Sequence, residues 1–164
     1  MSPEAICRLY NYTYWAFERV WGCIMQLTDE QFTQHIDYSI GSIRDQVVHM
    51  MSGTRRWMKR VQGAEIPPHL PFDDYATREA AKAQWDEMKA EVLDYVHSLD
   101  QARLNEMVHW EIRTRGASYD NRRWELLMHV ANHATDHRAQ ILAMLYHHFG
   151  VKTIEQDMIF YLVE

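Results

Sequence analysis

The chain has 164 residues, of which 47% are apolar, including 6 Trp and 9 Tyr, and this composition excludes disorder for most of its length. Its 17 basic against 23 acidic residues leave a net charge of -6, which argues against nucleic acid as a partner because phosphate binding needs a basic surface. No stretch has the length and apolarity of a membrane span, and ten histidines stand out as more than packing requires.

The length suits one domain over residues 1–164. The N-terminal "MSPEAICRLY" lacks a basic region followed by an apolar run, so no secretory signal is expected and a cytoplasmic location is. The spacing predicts a first helix opening at "SPE", with Ser2 as N-cap and Pro3 in the first turn. Its apolar stripe runs from Ile6 through Leu9, Tyr10, Phe17, Val20 and Ile24 to Leu27, and the helix ends before "TDEQ". Cys7 and Cys23 lie in it about 24 Å apart at 1.5 Å per residue, too far to bridge. With no helix terminus or basic cluster to acidify them, both read as inert buried thiols.

A second helix begins near "GSIRD", where Ser42 and Asp45 resemble a capping box, and Gly63 stops it. Its stripe is Ile43, Val47, Met50, Trp57 and Val61, with Trp57 read as core. The segment "GAEIPPHLPFDDYAT" holds three of the four prolines and reads as irregular. A third helix is expected from about Thr77 to Leu99, with Trp85, Met88, Val92 and Tyr95 on one side. The alternation in "NEMVHWEIRTRGASYDNRRW" around Arg115-Gly116 predicts a short hairpin or an extended connection. A fourth helix follows over about 121–149 and stops at Gly150. The tail "VKTIEQDMIFYLVE" is apolar enough to dock on the helices. Four amphipathic helices of about twenty residues or more make an all-α four-helix bundle the expected fold.

The fourth helix carries the chemistry. In "HVANHATDHRAQI", His133 and His137 fall about 40° apart on a helical wheel, flanked by Leu126, Val130, Ile141 and Met144. Gln140 lies close by, whereas His129 and His147 drift toward the polar flank. Imidazoles at i and i+4 can both reach a single ion. Buried side by side they repel if protonated and leave acceptors unpaired if neutral, and a divalent metal resolves both problems. The third ligand must come from another helix. His49, on one face with Gln46, Met50, Gly53 and Trp57, is the candidate.

Asp45 and Asp136 are each placed to orient a ring, although a capping or solvent-facing carboxylate is the simpler reading. Gln140 reads equally as a contact to the ligand sphere or a core amide. Met144 reads as core, and the Arg55-Arg56 and Arg122-Arg123 pairs as solvated helix faces. A di-iron carboxylate site would need inward Glu-x-x-His motifs. Glu106-x-x-His109 falls in the connection, and Asp94-x-x-His97 on the outer face of the third helix.

Three stretches, "LYNYTYWAFERV", "GSIRDQVVHMMSGTRRWMKR" and above all "LLMHVANHATDHRAQI", resemble the DinB/YfiT-like family of metal-binding proteins over nearly the whole chain. The resemblance implies a four-helix bundle of up-down-down-up order, often a homodimer, with a divalent metal on His49, His133 and His137. Where many members read His-His-Arg-Gly-Gln, this chain has Asp136-His137-Arg138-Ala139-Gln140, which alters neighbours of the ligands and no ligand. Zinc is the first expectation and nickel the second, with iron also suited to imidazole donors. Relatives that are thiol-dependent S-transferases and isomerases imply a metal-dependent transferase joining a low-molecular-weight thiol to a small electrophile. The alternative is a non-catalytic, stress-associated bundle that binds a metal or other ligand.

Overall fold

The computed structural model describes the backbone of residues 1–164 and every side chain but that of Arg113. Four long helices dominate: α1 (Pro3–Ile24), α3 (Ile43–Gln62), α4 (Arg78–His97) and α6 (Arg123–Phe149). Three short helices join them, α2 (Asp29–Thr33), α5 (Gln101–Asn105) and α7 (Met158–Val163), with one two-stranded sheet of β1 (Met107–Ile112) and β2 (Ala117–Arg122). The protein is thus mainly helical.

The helix ends sit where the sequence placed its caps. Ser2 accepts from the Ala5 amide with Pro3 in the first turn, and Ser42 and Asp45 form a reciprocal capping box. Gly63 and Gly150 close α3 and α6 in the left-handed conformation, which costs glycine little. The "TDEQ" stretch, expected only as a stop, is itself a start: Thr28 and Gln31 box α2, whose Phe32 is fully buried. The fourth helix begins two residues later than expected, because Arg122 is still paired with Met107 in the hairpin.

Each long helix packs on two others. Cys7 meets the Val96 carbonyl and Phe17 stacks on Trp85 at 4.1 Å, so α1 and α4 run antiparallel. Tyr10 bonds the Leu127 carbonyl and Cys23 approaches that of Lys152, so α1 and α6 run in the same sense. Gln46 meets His137 and Trp57 meets His129, so α3 and α6 run in opposite senses. The fourth contact is α3 on α4. Trp21, Trp85, Tyr10, Phe17 and Met50 fill the space between these helices. Full burial of one such side chain contributes about 1.5–3 kcal/mol, so the inner stripes hold the helices in register.

The tail docks along α1: Tyr12 donates to the Gln156 carbonyl and packs on Tyr161, and Trp15 and Arg19 bind Glu164. Fully buried Arg138 donates to Gln156 and to Tyr12, tying α6 to the same segment. No helix is long and apolar enough to cross a membrane.

Candidate metal centre

The α3–α6 contact brings three imidazoles together. His49 comes from α3, and His133 and His137 come from successive turns of α6. Their potential ligand atoms all lie within 4.8 Å of one another. Ring centroids are 4.4 Å apart for His133–His137, 4.8 Å for His49–His137 and 5.6 Å for His49–His133. His137 is buried and the other two are half-buried, so the cluster sits at the inner edge of a helix seam. Gly53, one turn after His49, permits this approach: a Cβ there would lie 3.1 Å from Cε1 of His133.

The protonation states follow from the packing. Burial first, and the neighbouring rings second, hold the His133 pKa down to about 4. Burial also lowers His137, with His49 adding to it, and lowers His49, with His69 adding to it. All three rings are therefore neutral at neutral pH and carry free lone pairs. Nδ1 of His137 donates to Oε1 of Gln46 at 2.8 Å, which leaves Nε2 as its acceptor nitrogen. Gln46 is fully buried, and its amide nitrogen donates at 3.0 Å to Oε1 of Gln140, which also accepts from the Ser39 hydroxyl at 2.7 Å. Ser39 adopts a left-handed backbone, φ 54°, to present that hydroxyl.

The Nε2 atoms of His133 and His137 face each other at 3.0 Å. With Zn–N bonds of about 2.0–2.1 Å and tetrahedral or octahedral angles, two ligands of one ion lie roughly 2.9–3.4 Å apart. The donor set, the tautomer of His137 and this spacing all fit a divalent transition metal. Among the described residues no carboxylate or thiol joins the cluster, so the protein supplies three donors. A three-donor set is the pattern of a centre with open positions, since closed structural zinc sites carry four protein ligands.

The residues singled out in the sequence divide clearly. His49, His133 and His137 are brought together. His129 is not among them: its ring is 6.1 Å from that of His133 and packs edge-on against Trp57 at 4.6 Å. Asp45 caps α3 and pairs with Arg44, and Asp136 is exposed, so neither carboxylate orients a ring. Gln46 does that work, itself held by Gln140. In the sequence pattern Gln46 shares the face of His49 but shows no role, because an inward amide near a helix start looks like any core amide until its partner on α6 is in view. Trp57, expected in the core, packs against it half-buried and also meets His129 and Trp110. The hairpin carries Trp110 there, and Trp110 stacks on Tyr119 at 4.8 Å. Met144 is core as expected.

The arginine pairs are not simple solvated faces. Arg123 binds Glu106 at 2.8 Å and Arg56 donates to the Pro67 carbonyl, while Arg55 and Arg122 are exposed. Glu106 is thereby taken up at the foot of α6. His109 lies on the exposed strand face beside Asp120, and Asp94 and His97 are exposed on α4. Cys7 and Cys23 are unpaired, and burial pushes both thiols up.

A family model described as the DinB family matches residues 1–163. Protein DinB of Bacillus subtilis (strain 168) is 27% identical over 143 residues, covering 84% of this chain and 83% of the relative.

Proposed function

The chain belongs to the DinB family, and from that premise we propose that it is a divalent-metal protein whose His49, His133 and His137 hold the ion and leave positions open for small ligands. The single observation behind this reading is the convergence of three neutral imidazoles, two with facing Nε2 atoms 3.0 Å apart, and no protein carboxylate or thiol among the described residues to complete the set. Zinc is the leading ion, nickel the second and iron the third, because imidazole suits all three.

The reading extends to catalysis of the S-transferase type. An ion held this way supplies Lewis acidity that makes a bound water or thiol more acidic. The chain's own contribution is positional: His137 is locked by Gln46, and Gly53 lets His133 approach His49. The reaction joins the sulfur of a low-molecular-weight thiol to a carbon electrophile, with the thiol proton passing to solvent and the leaving group departing with its bonding pair. The architecture we read is a four-helix bundle of α1, α3, α4 and α6, one domain in up-down-down-up order, supported by the pairwise helix directions. A homodimer is supported by exposed Ile159, Leu162 and Val163 on α7.

The test strips the protein with chelator and titrates Zn, Ni and Fe(II), reading bound ion by elemental analysis and the unfolding midpoint by calorimetry. One ion per chain should bind and raise the midpoint, and the His133→Ala variant should show neither. Metal-loaded protein with a panel of thiols and a chromogenic electrophile should turn over faster than that variant. Equal rates remove the enzymatic reading, leaving a non-catalytic metal-binding protein, and no bound ion removes the metal.

A further inference from the structure

Two arginines sit on the stripe of α3 that carries His49. Arg56 and Arg60 are seven and eleven residues on, which places both within about 20° of His49 around the helix. Helical side chains lean toward the N-terminus, so both lean along α3 in the direction of His49 from about 10 and 16 Å further along its axis. Both are half-buried. Among the described residues, neither has a carboxylate at ion-pairing distance, whereas Arg19, Arg44, Arg78 and Arg123 each do. The chain carries 23 acidic residues against 17 basic ones, so carboxylates were plentiful and none was placed here.

The local geometry leaves donors free. The Arg60 guanidinium lies over the Trp57 ring, 4.8 Å from its centroid, and its Nε is buried with no hydrogen-bond partner. Arg56 uses one donor on the Pro67 carbonyl. His69, folded over from the proline-rich loop and bonded to Ser52 at 3.2 Å, lies beside both arginines, and burial together with their charge holds its ring neutral. The Trp57 ring bridges the arginines and the histidines, since it packs at 4.6 Å against the ring of His129, itself 6.1 Å from that of His133. Two guanidinium groups beside an aromatic ring, without a carboxylate partner among the described residues, match a carboxylate ligand, which guanidinium binds in fork geometry.

We propose that Arg56 and Arg60, walled by Trp57, bind the carboxylate of a small organic acid, so that the molecule presented to the three histidines carries an anionic group. That this molecule reacts there rests on the metal-binding reading above; the anion site does not. The carboxylate enters either on the electrophile or on the thiol.

The test has two arms. In the first, chelated protein is titrated with benzoate and with its neutral isostere benzamide, followed by tryptophan fluorescence. Benzoate should saturate at a concentration at least tenfold lower. The preference should vanish in Arg60→Gln, shrink in Arg56→Gln, weaken with added salt, and persist in Lys59→Gln, which lies off the stripe. In the second arm, zinc-loaded protein is titrated with mercaptoacetate and 2-mercaptoethanol. A mercaptoacetate preference that depends on Arg60 assigns the carboxylate to the thiol; a benzoate preference alone assigns it to the electrophile. Equal affinity for charged and neutral probes in both arms, or a preference that survives Arg60→Gln and Arg56→Gln, overturns the proposal. Should Arg60→Gln misfold by circular dichroism, Arg56→Gln and the salt dependence decide. Because the first arm uses metal-free protein, its result stands even where the ion titration shows no bound metal.

Discussion

The His133 imidazole has an ordinary value of 6.5, held down to about 4 in the folded chain. As pH falls, the unfolded chain therefore takes up the proton first, and protons favour unfolding. The stability of the metal-free protein should be fully present above pH 6.5 and decline as the pH falls through the window toward 4. His49 and His137 shift in the same direction and add to the slope. Calorimetry on chelated protein between pH 7 and pH 5 should show a falling midpoint that is visibly flatter in His133→Phe; a flat wild-type profile would contradict the burial argument. Gln46 is the other residue whose role is sharply exposed. Replacing it with Leu removes the acceptor for Nδ1 of His137, frees the ring to choose the wrong tautomer, and should weaken metal binding about 10–100-fold. Gln46→Glu keeps an acceptor and should retain affinity. If Leu and Glu bind metal alike in competition with a chromogenic chelator, the ring is oriented by something else.

At the scale of elements, the centre depends on how closely α3 approaches α6, and Gly53 sets that distance. Alanine in a helix interior is favoured over glycine by about 1 kcal/mol, but its Cβ would lie 3.1 Å from Cε1 of His133. That ring is the end of a side chain and can give by a few tenths of an ångström. Gly53→Ala should therefore leave the metal-free unfolding free energy within about 1 kcal/mol of wild type while weakening metal binding severalfold by displacing one donor. Parallel denaturant unfolding and metal titration read the two effects apart. A variant that loses stability and affinity together would mean that the helices themselves had been pushed apart. Element bounds were legible beforehand because caps and stripes are local: the Ser42–Asp45 box and Gly63 bracket α3 within the sequence itself. The short helices escaped because α2 and α7 span only five and six residues, too few for a period to declare itself.

Across the whole molecule, Arg138 is the crossing point. It is fully buried, has no carboxylate partner among the described residues, and donates to Gln156 at 2.9 Å, Thr135 at 3.2 Å, Tyr12 at 3.3 Å and the Thr13 carbonyl at 3.4 Å. Its guanidinium also lies 5.3 Å from the centroid of the Tyr12 ring. It thus pins the tail between α1 and α6. Arg138→Met fills similar space and removes the buried charge, but strands the Gln156 and Tyr12 acceptors, at about 1–3 kcal/mol. The expected result is a tail released while the long helices persist: faster limited proteolysis within residues 150–157, with helical circular dichroism little changed. Uniform loss of helix would show that Arg138 supports the whole core instead.

Residue order along the chain was enough to place His49, His133 and His137 on apolar stripes and to locate the caps, because helical periodicity and capping act over three or four residues. It was enough to narrow the stretch about Gly116 to a hairpin or an extended connection, which the structure resolves as a hairpin, and to mark the proline-rich loop. What needed the folded chain was everything settled between segments distant in sequence: that Gln46 rather than Asp45 or Asp136 meets an imidazole, that Trp57 packs at the edge of the core against His129 and Trp110, and that Arg56 and Arg60 have no carboxylate at ion-pairing distance among the described residues. Those outcomes turn on which faces of two helices meet and at what distance, and no local pattern encodes that.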